Sequence, residues 1–172
     1  MSTTNFTWDQ TFRALFDRCV AEYKGGNEDF NSYYSSEDLA FLKSIGYKPR
    51  EFFDFVEDSV DEGEPSAEAA VLIAAVRRDF LRTVQKGEIS THEISPDDLP
   101  AKDSELEGVR WLPRIIVKAR AKLRGELDPN MMFSCGGDRA FLKKHDIHPA
   151  DFLRVVWAAG DNDQKILEYV RS

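Results

Sequence analysis

The sequence is poor in the residues that build disulfide frameworks and metal sites. It has two cysteines, Cys19 and Cys135, and three histidines among 172 residues. Small secreted domains that depend on disulfides carry more cysteines at close spacing. The Cys-x9-His-x2-His spacing at Cys135, His145 and His148 matches no common structural-zinc pattern and leaves the fourth ligand unassigned. We therefore expect two reduced thiols, no metal ion and no cofactor.

Long apolar runs are also missing. The longest run, residues 69–76, has eight residues, whereas about 20 are needed to cross a bilayer. The first five residues contain neither a basic nor an apolar segment, so we expect no secretory signal. Apolar residues make up 42% and charged residues 31% of the chain, which is typical of a globular protein in water. We expect a cytoplasmic protein that does not bind membranes.

Basic residues are scarce in the first part of the chain, and acidic residues are scarce in the second. Residues 1–108 carry 11 basic and 23 acidic side chains, and residues 109–172 carry 12 basic and 8 acidic ones. The net charge of −8 argues against general binding to nucleic acids or anionic membranes. Because opposite charges attract, we expect the two halves to dock. A basic functional face on the second half is the alternative.

A repeat appears when the sequence is compared with itself at an offset of 100 residues. Residues 38–43 (DLAFLK) align with residues 138–143 (DRAFLK), and Pro49 and Phe52 align with Pro149 and Phe152. Self-similarity at a fixed offset is typical of duplicated structural units. The sequence therefore predicts a tandem duplication. Its parts are a diverged first repeat (1–87), an acidic linker (88–108) and a second repeat (109–172).

Apolar periodicity predicts that each repeat consists of about four helices. Thr7 should cap the first helix so that it begins near Trp8, and Gly25 and Gly125 should end the first helix of each repeat in the left-handed conformation. Segments 30–34 and 131–135 match each other and look extended, so they predict either a short strand pair or loops. We expect an all-α fold whose two repeats pack with pseudo-twofold symmetry.

One stretch of the second repeat carries a more specific pattern. The pattern consists of Trp111-Leu112-Pro113-Arg114, Lys118-Ala119-Arg120, Gly125, Phe133, Cys135, Asp138 and Phe141-Leu142. It resembles a bacterial family, domain-of-unknown-function family 5069, over roughly residues 111–171. The resemblance implies a small, mainly helical cytoplasmic protein and no assigned activity. The first repeat lacks this motif, so we expect any site to lie in the second repeat.

The predicted helix at 113–124 is strongly basic. Arg114, Lys118 and Lys122 lie four residues apart and should share one face. Such a row could follow the phosphates of a nucleic acid or hold a phosphate ligand. The alternative is a solvated face, or one that docks on the acidic half.

Arg120 stands where the first repeat has the apolar Val20. A guanidinium near a core requires a partner because unpaired burial is costly. Asp138 is our candidate for that partner, in a structural ion pair. The alternative is an arginine that binds a carboxylate or phosphate of a ligand.

Cys135 is followed by Gly136-Gly137 and by a helix that should begin near Asp138. Two glycines before a helix can present N–H groups to an anion, and a cysteine there can be reactive. The first repeat has Ser35 at the position of Cys135, so the thiol is not part of the shared frame. We expect a turn with an unreactive thiol, and an anion site or a catalytic cysteine is the alternative.

Trp157 stands where the first repeat has Glu57. An aromatic side chain in place of a charged one suggests a contact surface. We expect Trp157, with Lys122, to contribute to an interface with the other repeat or with a partner.

These patterns favour a non-catalytic helical binding or adaptor protein, and we assign no catalytic residue. Its ligand-binding candidates are Arg114, Lys118, Arg120, Cys135 and Asp138. We expect a protein partner, and a monomer with internal pseudo-symmetry or a weak homodimer. The alternatives are a nucleic-acid or phosphate-ligand binder that uses helix 113–124, and an enzyme that uses Cys135 or Arg120.

Overall fold

The computed structural model describes residues 4–172, which form two compact units divided after Arg78. The first unit contains α1 (Trp8–Lys24), a 3₁₀ turn (Phe30–Ser32), α2 (Ser36–Ser44), α3 (Pro49–Asp61) and most of α4 (Ala67–Thr83). The second contains the last turn of α4, a 3₁₀ turn (Pro96–Asp98), β1 (Glu105–Leu106), β2 (Val109–Arg110), α5 (Leu112–Arg124), α6 (Gly136–Lys144), α7 (Pro149–Ala159) and α8 (Asp163–Arg171). The predicted mainly helical fold is confirmed.

The short strand pair lies elsewhere than the sequence suggested. β1 pairs with β2 in an antiparallel hairpin, and its connecting residues Glu107 and Gly108 both have positive φ, as a two-residue hairpin turn requires. Of the two segments that looked extended, 30–34 contains a 3₁₀ turn and 131–135 forms turns. The side chain of Asp29 accepts a hydrogen bond from the backbone of Asn31, which stabilises the first of these turns.

Local signals place several helix ends correctly. α1 begins at Trp8, but the Thr7 side chain does not form the capping hydrogen bond that the sequence predicts. Pro49 and Pro149 are the first residues of α3 and α7, where proline costs no hydrogen bond. Gly125 ends α5 with φ of 72° as predicted. Gly25 ends α1 with φ of −73°, so the prediction of a left-handed residue there was wrong.

In the first unit, α1 packs against α3 through aromatic rings. The ring centroids of Phe12 and Phe52 are 5.1 Å apart in an edge-to-face arrangement, which adds to the stability gained from burial. Arg77 is fully buried and its Nε donates to the carbonyl oxygen of Gly46. Gly46 has φ of 78°, and a Cβ there would lie 2.7 Å from the Arg77 guanidinium carbon. Glycine at this position lets the guanidinium approach the backbone.

In the second unit, α5 packs against α7, and α7 packs against α8. The buried apolar side chains on these helices include Ile115, Ile116, Phe152, Val156 and Ile166. The stretch that the sequence predicts as an acidic linker contacts this unit: Ile94 donates its N–H to Glu126 O (2.9 Å), and Trp111 donates its N–H to Ser104 O (3.0 Å). Within residues 4–172, no helix is both long and apolar enough to cross a membrane.

Candidate functional site

The N-terminus of α6 gathers a group of polar side chains from two helices and the loop between them. We call this group the Asp138 cluster. Its members are Trp111, Lys118, Ser134, Cys135 and Asp138. Trp111 is the residue before α5, Lys118 lies in the middle of α5, and Cys135 is the residue before α6. The cluster joins three of the residues that the sequence selected, namely Lys118, Cys135 and Asp138.

Asp138 is the centre of the cluster and is fully buried. Its Oδ1 accepts a hydrogen bond from Trp111 Nε1 at 2.9 Å. Its Oδ2 accepts from Lys118 Nζ at 2.5 Å and from the Ser134 N–H at 2.9 Å. Charge pairing and hydrogen bonds together offset the cost of burying this carboxylate.

Lys118 connects Asp138 to Cys135. Its side chain is only 5% exposed, and its Nζ also donates to Cys135 Sγ at 3.2 Å. Cys135 is half-buried. The thiol is therefore not completely buried, and its neighbour is the ammonium group of Lys118.

The packing of Trp111 explains one of the two glycines. A Cβ at Gly137 would lie 2.6 Å from Trp111 Cζ2, so the indole ring approaches the backbone more closely than any side chain would permit. Trp111 itself has φ of 74°, a conformation that costs energy for a bulky residue. Gly137 is therefore accounted for by packing.

Two residues that the sequence did not suggest hold the loop before α6. Ser134 has φ of 68°, and its carbonyl oxygen accepts a hydrogen bond from Arg139 Nη1 at 2.7 Å. Both residues are buried. The Ser134 hydroxyl has no hydrogen-bond partner within residues 4–172. At an offset of 100 residues Arg139 aligns with the exposed Leu39, so the sequence comparison gave no signal for this arginine.

Arg114 lies beside the cluster and is half-buried. Its guanidinium carbon is 5.7 Å from the centroid of the Trp111 ring, and its Nη1 donates to Pro100 O at 2.7 Å. Cation–π stacking and the hydrogen bond restrict this side chain to one position. Arg114 thus borders the cluster at Trp111.

Arg120 does not pair with Asp138, contrary to our prediction. Its Nη2 lies 2.6 Å from Asp163 Oδ1 and donates to Gly160 O at 2.7 Å. Arg120 follows Lys118 by two residues, which is about 200° around an α-helix. Since Lys118 faces Asp138, Arg120 must face away from it, towards the start of α8.

The basic row on α5 is not a solvated face. Lys118 and Lys122 are 4% and 1% exposed, while Arg114 is half-buried. A row that follows phosphates must present its cations to the solvent, so the structure does not support that reading of these three residues. Burial likewise makes Lys122 inaccessible to a separate partner molecule.

Trp157 is half-buried and contacts Phe80 within the second unit. The ring centroids are 5.4 Å apart in an edge-to-face arrangement. Packing against the end of α4 therefore explains in part why a tryptophan stands where the aligned position has Glu57. The rest of the Trp157 ring remains accessible.

Two of the three histidines have structural contacts. His145 is half-buried against the Phe141 ring, with centroids 4.7 Å apart, and His148 Nδ1 accepts from the N–H of Ala150 at the start of α7. Across residues 4–172, no three His, Cys, Asp or Glu side chains form a group that could hold a metal ion.

The first unit contains a related ion pair at the same register. Arg18 Nη2 lies 2.6 Å from Asp38 Oδ2, and the side chains are 46% and 22% exposed, respectively. Ser35 caps α2, because its hydroxyl accepts the Asp38 N–H at 3.1 Å. At the corresponding place in α6, the Cys135 side chain makes no such bond within the described residues. The pair in the first unit is thus more exposed and lacks the thiol.

Comparison with known proteins finds a similarity in one part of the second unit only. No curated protein and no solved structure matches the chain. A family model does match, and its span includes the β1–β2 hairpin and Pro100 as well as the predicted 111–171 region. Residues 98–172, which contain the entire Asp138 cluster, match the family described as Domain of unknown function (DUF5069).

Proposed function

We propose that this protein is a non-catalytic binding or adaptor protein whose recognition surface surrounds the N-terminus of α6. One observation carries the proposal: both carboxylate oxygens of Asp138 are occupied by donors from Trp111, Lys118 and Ser134. A general base requires an oxygen that can reach the proton of a substrate. In this arrangement the carboxylate positions the surrounding backbone and side chains.

The outer side of the cluster suits a protein partner. Gly136 and Gly137 are exposed, and Trp111, Arg114 and Cys135 are half-buried. Aromatic residues and arginine are enriched at protein interfaces, where they supply area and planar hydrogen bonding at a low entropic cost. The glycines leave the backbone open to close approach. A rigid surface of this kind favours recognition of a preformed partner.

Affinity purification with a matched pair of variants tests this proposal. Arg114 borders the cluster, whereas Arg124 is exposed at the other end of the same helix. We expect Arg114→Ala to lose the proteins that the wild type captures, and Arg124→Ala to retain them. Equal capture by both variants, with both folded as judged by circular dichroism, would place the recognition surface elsewhere.

We also propose that the chain arose by tandem duplication. Three features support this: α2 and α6 span 36–44 and 136–144, α3 and α7 begin at Pro49 and Pro149, and the Arg18–Asp38 and Lys118–Asp138 pairs occupy the same register. Superposition of the Cα atoms of 11–56 and 111–156 in a crystal structure is the test. Different helix orders or crossing angles in the two segments would contradict a duplication.

We also propose a cytoplasmic location and a monomeric or weakly dimeric state. The two widely separated cysteines favour a reduced, cytoplasmic setting. A monomer or weak homodimer is expected, and sedimentation at several protein concentrations would distinguish the two.

A further inference from the structure

The contact between Cys135 and Lys118 brings together a sulfur atom and an amine nitrogen. Lys118 Nζ lies 3.2 Å from Cys135 Sγ. The half-buried cysteine is accessible to a small oxidant, whereas the lysine is 4% exposed and is held in place by Asp138 at 2.5 Å. A nucleophilic nitrogen is thus fixed beside a sulfur atom that can be oxidised.

We propose that Cys135 and Lys118 form a peroxide-responsive covalent switch, in which oxidised Cys135 is captured by the Lys118 amine as a sulfenamide. The proposal does not depend on the binding function. It requires a hydroperoxide, such as hydrogen peroxide, as the oxidant. It assigns a modification site to the α6 N-terminus.

The reaction balances in two steps. The Cys135 thiol and one hydrogen peroxide give a sulfenic acid and water. Lys118 then transfers an ammonium proton to Asp138, and its nitrogen attacks Sγ as the S–O bond breaks. The departing hydroxide takes the proton from Asp138 and leaves as water, and a second proton is lost from nitrogen to solvent. Sulfur is oxidised, the peroxide is reduced, and an S–N bond remains.

The geometry favours capture by Lys118 over other fates of the sulfenic acid. A sulfenic acid condenses with whichever nucleophile is nearest, and Lys118 already contacts the sulfur. Asp138 can accept the proton that must leave before the amine can attack. The other thiol, Cys19, is fully buried, and burial raises its pKa to about 12, so it is a poor candidate to form a disulfide instead.

The first unit shows that the ion pair does not depend on these two reactive groups. Arg18 pairs with Asp38, and Ser35 stands at the register of Cys135. A guanidinium is a poor nucleophile and a serine hydroxyl is not oxidised by peroxide. Lys118→Arg therefore keeps a cation beside Asp138, and Cys135→Ser keeps a small polar side chain before α6.

Closing the S–N bond would alter the recognition surface. The bond removes the positive charge of Lys118, and Asp138 then lacks its cation although it is fully buried. An uncompensated buried carboxylate is strongly unfavourable. The N-terminus of α6 would therefore rearrange, and oxidation would change what this surface presents.

Mass spectrometry of the full-length protein after hydrogen peroxide treatment tests the switch. We expect the wild type to lose two hydrogens, to yield a peptide that links residues 118 and 135, and to recover its mass with dithiothreitol. Cys135→Ser should not change mass at these sites. Lys118→Arg should form a sulfenic acid that dimedone traps when it is present, and that peroxide oxidises to sulfinic acid when dimedone is absent.

Three results would overturn the proposal: sulfinic or sulfonic acid at Cys135 of the wild type with Lys118 free, an unmodified Cys135, or a bridge that retains an oxygen atom between nitrogen and sulfur. If Lys118→Arg fails to fold, dimedone provides the second measurement on the wild type. Added together with the peroxide, it should suppress the cross-link. A cross-link of unchanged yield would show that no sulfenic acid precedes it.

Discussion

The indole ring of Trp111 lies against the backbone of Gly137, so closely that a Cβ at position 137 would be 2.6 Å from Trp111 Cζ2. The same ring donates its N–H to Asp138 Oδ1 at 2.9 Å. Packing against Gly137 and the hydrogen bond to Asp138 therefore both hold the Trp111 ring in place. Because the ring can approach only a glycine this closely, Gly137 helps to position the donor for the buried carboxylate.

Gly137→Ala should destabilise the second unit. Alanine in place of glycine in a helix normally gains about 1 kcal/mol, but overpacking a fixed aromatic ring costs about 1–3 kcal/mol. Because the Trp111 ring cannot move without losing its bond to Asp138, we expect a net loss. Thermal unfolding and the near-ultraviolet circular dichroism of tryptophan measure it. The exposed Ala140, changed to serine, is the control, and a Gly137→Ala variant as stable as this control would contradict the packing argument.

Removal of the buried carboxylate should cost more than removal of its exposed counterpart. Asp138→Ala leaves Lys118 buried without its anion, a loss of about 3–5 kcal/mol. Asp38→Ala removes a partly exposed ion pair and a helix-cap contact, which together are worth about 1–2 kcal/mol. Urea unfolding of both variants gives the two free energies of unfolding. Equal losses would show that burial does not distinguish the two pairs.

Stability should depend on the protonation of Asp54 in the first unit. Burial raises the pKa of this carboxyl to about 7, although Arg50 opposes the shift. Since the folded state binds the proton more tightly than the unfolded state, the contribution of Asp54 is favourable at low pH. It is lost as the pH rises from about 4 to 7.

Asp54→Asn therefore should gain stability relative to the wild type as the pH rises through this window. The lost ion pair with the partly exposed Arg50 (2.9 Å) costs at most about 1 kcal/mol. The measurement is the difference in melting temperature between the two proteins from pH 4 to pH 8. A difference that does not change with pH would refute a raised pKa for Asp54.

The two cysteines should differ in their reaction with iodoacetamide. Cys19 is buried on α1 and its pKa is raised by desolvation to about 12, whereas Cys135 is half-buried. We expect Cys135 to be alkylated in the folded protein at neutral pH, and Cys19 to react only after denaturation. Peptide mapping over time gives both rates. Similar rates for the two thiols in the folded protein would show that the structure does not control access to them.

Helix positions were largely predictable because their signals are local. Proline is favoured in the first turn of a helix, so Pro49 and Pro149 indicate helix starts without knowledge of the tertiary structure. The spacing of apolar residues likewise gives the buried faces of α1 and α5. The same local reasoning failed at Gly25, where the backbone stays in the right-handed region. Glycine permits the left-handed conformation but does not require it.

The sequence by itself determined that residues 111–171 resemble a known family and that Arg120 requires a partner, with Asp138 as the candidate. Only the tertiary structure decided that Asp138 pairs with Lys118, that Arg120 pairs with Asp163, and that Lys122 is buried. The physical reason is that the spacing of residues along the sequence gives the direction of a side chain around its own helix. Burial and pairing depend instead on which other elements pack against that face of the helix. The roles of Ser134 and Arg139 could not be predicted, because they depend on the hydrogen bond that joins them in the folded loop before α6.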